Sequence, residues 1–186
     1  MSPMEILTKL SSIKIENLMR HLQFANVMDF MGLKGFKREG EYHYLLENYD
    51  FRKLHRFAIN HFNEMIYDDK VNTDIRIQPA SWKGHTRFEV DTGTRKRYVK
   101  QSFVDWKDWE KEALEELNKL FKESEEISIV LANFILNEIE DVACEIKYLE
   151  RQIIEYDSVD WDMVYLMSKQ EELHDCYKEK IKYLEI

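Results

Sequence analysis

From Thr94 to Ile186 the chain contains neither glycine nor proline. These residues punctuate helices: glycine raises the entropic cost of ordering, and proline lacks an N–H and clashes with the preceding turn. A stretch this long without either is restricted to long helices, provided its apolar residues recur at helical spacing. They do. Val99, Phe103, Trp106, Ala113, Leu117 and Leu120 form one stripe, and Ile135, Ile139, Val142, Ile146, Leu149 and Ile153 a second. Met163, Leu166, Gln170, Leu173, Tyr177, Ile181 and Leu184 form a third. Steps of three and four alternate, as in the seam of a left-handed helical bundle.

This period predicts helices over 94–124, 127–156 and 160–185, with Asp157, Ser158 and Asp160 as capping candidates between the last two. Upstream, Leu7, Ser11, Lys14/Ile15, Leu18, Leu22 and Ala25 predict a helix over 4–30. Phe51, Leu54, Ala58, His61 and Met65 predict another over 42–68. Gly32, Gly35 and Gly40 read as the turn between these two. Pro79, Gly84 and Gly93 mark a long crossover over 69–93. There RFEV and RYVK flank Asp-Thr-Gly-Thr, which could form a short hairpin; Thr92 or Thr94 as N-cap of the next helix is preferred, because Val99 already belongs to that helix's stripe. The expected fold is all-α: a four-helix bundle in one domain over 1–186, with one long crossover and an additional long C-terminal helix.

Composition narrows the function classes. The net charge is −9, a poor balance for general nucleic-acid binding, although residues 70–100 are locally basic and Arg95-Lys-Arg97 is a candidate contact for phosphate or an acidic partner. No apolar run approaches the ~20 residues of a membrane span, and the N-terminal segment lacks the pattern of a secretory signal. A cytoplasmic location is expected. Cys144 and Cys176 form no CxxC pair and are too few for a disulfide framework or a structural zinc site. No phosphate-binding glycine loop and no serine or cysteine nucleophile with a readable base is present. His21, His43, His85 and His174 show no ligand spacing with one another.

One residue breaks the pattern. Glu110 takes the missing position of the Val99–Leu120 stripe, about 20° from its centre at ~100° per residue. A carboxylate there is costly unless a cation, a hydrogen bond or a proton offsets it.

Several motifs bear on that cation. Gly32-Leu-Lys-Gly-Phe36 between the first two helices, Ile66-Tyr67-Asp68 closing the second, and Phe134-Ile-Leu-Asn-Glu138 at the start of the fourth resemble ferritin sequences. The expected order of two helical hairpins joined by one long crossover is the ferritin-like connection. The chain also resembles uncharacterised ferritin-like proteins of bacteria and their phages. The resemblance implies a di-iron site inside the bundle, with Glu from the first helix, Glu-x-x-His from the second, Glu from the third and Glu residues from the fourth. Carried over, it selects Glu110 on the third helix, Glu138 on the fourth and His61 on the second as metal ligands. It also shows departures. Ala58 stands three residues before His61, and Lys14 stands where the first helix should supply an acid. Lys14, Glu110 and His61 are therefore expected to form a buried polar cluster, Lys14 or His61 neutralising Glu110 where iron otherwise would.

Three functional expectations follow. The first is a scaffold or interaction protein without competent di-iron chemistry, with no cofactor and with a protein partner or homo-oligomer. The second is an iron-binding ferroxidase or storage-type protein using Glu110, Glu138, His61 and further acids such as Glu64 or Asp141. The third is an acidic phage-type protein that binds a host factor.

Overall fold

The computed structural model describes residues 1–66 and 91–184. They form five helices in chain order: α1 (Pro3–Phe30), α2 (Lys34–Phe62), α3 (Thr92–Glu125), α4 (Ile129–Ser158) and α5 (Met163–Leu184). There is no strand among the described residues. α1 packs on α2, α3 on α4, α1 on α3, and α5 lies along α2. The result is the predicted all-α four-helix bundle with a long fifth helix.

The termini of the helices follow from their capping residues. Ser2 and Glu5 make a reciprocal capping box ahead of Pro3. α1 ends in a turn through Gly32, whose φ of 78° suits glycine. α2 stops at Asn63, which adopts the left-handed conformation that ends many helices. Ser128 caps α4 by accepting from the Leu131 amide. Asp91 caps α3 by accepting from the Thr94 amide at 2.9 Å. The cap is thus neither Thr92 nor Thr94, and RYVK is helical; RFEV lies outside the described residues, as do Tyr67 and Asp68.

The second helix differs most from expectation. It begins at Lys34, not near 42, and ends before Asp68. Gly35 and Gly40 therefore lie within a helix, not in a turn. Both serve close packing. A Cβ at Gly35 would stand 1.7 Å from the Gln170 carbonyl oxygen of α5, and one at Gly40 would stand 2.9 Å from the Ala25 nitrogen of α1. Helix propensity disfavours these glycines, and interhelical approach requires them.

The apolar core is divided. One cluster gathers Phe24, Met28, Phe36, Phe103, Trp106, Leu149, Tyr156 and Trp161. A second gathers Ile6, Leu10, Leu54, Ala58, Leu117, Leu131 and Ile135. On α1, α2 and α3 the residues between these clusters are polar and buried: Lys14, Asn17 and His21, then Glu39 and Glu47, then Glu110. A polar layer therefore crosses the middle of the bundle.

Candidate functional site

Each helix of the bundle contributes to this layer at helical spacing. α1 supplies Lys14, Asn17 and His21; α2 supplies Glu39, His43, Glu47 and Asp50; α3 supplies Trp106 and Glu110; α4 supplies Glu138, Glu145, Tyr148 and Gln152. The groups sort into three neighbouring sets.

Lys14 is the centre of the first. Its Nζ lies 2.5 Å from Glu138 Oε2, 3.2 Å from Glu47 Oε2 and 3.9 Å from Asp50 Oδ2. Burial by itself would lower the Lys14 pKa, but the surrounding carboxylates outweigh it and raise it above the ordinary lysine value. Burial pushes Glu47 up to about 7, with Lys14 opposing and Glu145 and Asp50 adding to the rise. The set is an ion cluster in which the buried Lys14 ammonium is shared among three acids, and the more exposed Lys53 lies 3.9 Å from Asp50 Oδ1 and 4.0 Å from Glu138 Oε1 at its edge.

Glu110 belongs to the second set. It is 1% exposed. Asn17 Nδ2 donates to its Oε2 at 3.4 Å, and His21 Nε2 lies 3.6 Å from its Oε1. Burial raises the Glu110 pKa well above the usual carboxylate range, reinforced by Glu145 and Glu47 and only partly opposed by Lys14. No lysine lies within ion-pair distance of it among the described residues; its polar neighbours are Asn17 and His21. On the other side of His21, His43 Nδ1 lies 3.0 Å from Glu145 Oε1, and Trp106 Nε1 donates to the same oxygen at 3.1 Å. Burial drives His21 down to about 3, so its ring is neutral. Burial would raise Glu145, but the His43 charge and hydrogen bond hold it at about 2; in return, Glu145 outweighs burial and raises His43.

The third set fastens α5. The Tyr148 hydroxyl donates to Glu39 Oε1 at 2.6 Å, Tyr177 to the same oxygen at 3.3 Å, and Gln152 Nε2 donates to the Tyr148 hydroxyl at 2.6 Å.

The structure thus separates the residues selected from sequence. Glu110, Glu138 and Lys14 are buried in the layer as expected. The ion pairs of Lys14, however, go to Glu138, Glu47 and Asp50, not to Glu110. The reason is register: Asn17 and His21, one and two turns farther along α1, are the residues that face Glu110. His61 is not in the cluster. It is exposed in the last turn of α2, its ring 4.5 Å from that of Phe57. Glu64 is also exposed, and Asp141 is exposed at the rim of the cleft between α2 and α4. The α2 residues at the centre are Glu47 and Asp50, a Glu-x-x-Asp pair, rather than Ala58 and His61. Of the residues not selected, those on α2 had an available signal. Glu39, His43, Glu47 and Asp50 recur in steps of four, four and three, so a polar stripe runs where an apolar one was sought.

The other singled-out features are peripheral. Lys96 pairs with Asp160 at 2.6 Å, which places the basic start of α3 beside the α4–α5 turn. Cys144 and Cys176 are free thiols. None of the described helices is long and apolar enough to cross a membrane.

No protein-family model matches the chain, and no curated protein matches it by sequence. Among solved structures, it is similar to a closed form of the Archaeoglobus fulgidus ferritin engineered by site-directed mutagenesis, with a TM-score of 0.67 and 16% identity. The match covers 92% of this chain and 94% of that one. At that identity the likeness establishes the fold, which is ferritin-like.

Proposed function

We propose, from the premise of a ferritin-like bundle, that this chain is an interaction or scaffold protein whose dinuclear centre has been replaced by a fixed ammonium. The observation that carries this reading is the position of Lys14, within ion-pair distance of Glu138, Glu47 and Asp50. Two irons need an acid from every helix and no resident cation. Here α1 supplies a cation to the carboxylates that would bind them. The residues at the bundle centre do not fit a pair of irons: the ammonium already supplies the positive charge that lets Glu47 and Glu138 remain buried.

A scaffold role draws further support from apolar side chains left in solvent on α4 and α5. Ile154, Val164, Met167 and Tyr183 are 69%, 78%, 53% and 78% exposed. Val164 and Met167 are three residues apart and share a face of α5.

Ferrous iron added in air to chelator-treated protein tests the reading. The expected result is oxidation no faster than in protein-free buffer and no pair of irons retained after desalting. Two irons per chain with protein-dependent oxidation reject it. Sedimentation velocity tests the interaction role: self-association weakened by Val164→Asp with Met167→Asp is expected, and a monomer at all concentrations rejects the homo-oligomer.

A further inference from the structure

We propose that His21, His43 and Glu145 bind one divalent first-row transition metal ion, at a site separate from the Lys14 cluster. Each residue offers one ligand atom, and the three atoms lie within 4.8 Å of one another. They come from α1, α2 and α4, so the bundle itself holds them together. His21 stands seven residues beyond Lys14 on α1, about 10 Å along the axis at ~1.5 Å per residue. The site does not depend on the reading of Lys14 as a substitute for iron.

The second observation is His21 itself. It is 1% exposed, and neither ring nitrogen has a hydrogen-bond partner among the described residues. An imidazole sealed in a core without a partner loses the free energy of two hydrogen bonds to water. Its surroundings suggest what it lacks. The His43 ring lies 5.3 Å away, centroid to centroid, and the Trp106 ring 5.1 Å. Glu110 Oε1, also without a hydrogen bond, lies 3.6 Å from His21 Nε2. A metal ion would give His21 a partner and leave Glu110 to complete the coordination or orient the His21 ring. Trp106 Nε1, donating to Glu145 Oε1 at 3.1 Å, is the outer-shell group that fixes the carboxylate.

The donor set chooses the metal. Two imidazole nitrogens and one carboxylate oxygen suit zinc, cobalt or ferrous iron; magnesium and calcium prefer oxygen. Ligand atoms around such an ion stand about 3.4 Å apart, since each lies ~2.1 Å from it. The side chains must therefore draw in by up to about 1.4 Å to reach that spacing. His43 and Glu145 are the ones with room, because both line a cleft of about 510 Å³ between α2 and α4. Glu47, Asp50 and Asp141 line the same cleft and attract cations toward it, with Lys14 and Lys180 opposing.

Chelator-treated full-length protein is titrated with cobalt(II), followed by visible absorption, and with zinc(II), followed by calorimetry. One ion per chain is expected, undisturbed by excess magnesium. His43→Gln and Glu145→Gln are each expected to weaken it by more than about 100-fold, beyond the loss typical of outer-shell changes. His61→Ala and His174→Ala should leave it unchanged. Should either ligand variant lose its helical circular dichroism, the wild type still decides: bound cobalt should shift the ring protons of two histidines strongly and leave His55, His61 and His174 near their metal-free positions. No binding, two ions per chain, or undiminished binding in folded His43→Gln overturns the proposal. The earlier reading fails differently, through two irons and protein-dependent oxidation that persist in His43→Gln.

Discussion

The ammonium of Lys14 lies 2.5 Å from Glu138 Oε2, joining α1 to α4 through the middle of the bundle. Both side chains are almost completely removed from water, so each makes the burial of the other tolerable. Removing one partner of a buried pair costs more than the pair contributes, because it strands the other charge. Lys14→Met is therefore expected to destabilise the protein by about 3–5 kcal/mol. Urea unfolding of Lys14→Met, Glu138→Gln and the double variant checks this. The double variant should lose clearly less than the sum of the two single ones.

Stability should fall as pH rises through the range where Glu47 ionises. Its folded pKa of about 7 lies above the ordinary value of 4.5, chiefly through burial. The folded state therefore binds more protons than the unfolded state between those values. Linkage makes the contribution most favourable below pH 4.5 and progressively lost up to about pH 7, with a limiting slope of about 1.4 kcal/mol per pH unit. Comparing unfolding free energies at pH 5 and 7 for wild type and Glu47→Gln isolates the effect; the variant should show the smaller fall.

Gly35→Ala should loosen α5. The added methyl would meet the Gln170 backbone, which cannot swing aside as a flexible side chain would. Gly35 N–H also donates to Gln170 Oε1 at 2.8 Å, and that bond would be strained by the same displacement. Overpacking of this kind costs about 1–3 kcal/mol. Hydrogen exchange should report it as faster amide exchange in α5 than in α1.

Tyr177→Phe should be milder. It removes one hydroxyl from Glu39 and leaves the shorter Tyr148 bond in place. A loss of about 1 kcal/mol is expected by thermal unfolding. Tyr148→Phe should cost more, since Gln152 donates to the same hydroxyl.

His61→Ala should do little. The residue is exposed, and surface changes of this kind stay within about 0.5 kcal/mol. A large loss of stability or of metal binding would restore His61 to the interior.

The absence of glycine and proline after Thr94 and the stripes at steps of three and four made the helices, their order and the burial of Glu110 legible in the sequence. Those features act locally, through backbone entropy, ring geometry and which face of one helix is apolar. α2 resisted because its seam is written in polar residues. Glu39, His43, Glu47 and Asp50 hold helical spacing, but a search for apolar recurrence passes over them. Gly35 and Gly40 looked like turn residues for a similar reason: the close approach of α5 and α1 that calls for them is invisible within α2 itself. The tertiary structure alone decided which charges meet. Lys14 and Glu110 share a layer, yet an axial offset of about one turn gives Lys14 to Glu138 and Glu110 to Asn17 and His21, because an ion pair or hydrogen bond depends on a few ångströms between helices and period specifies only direction around each axis.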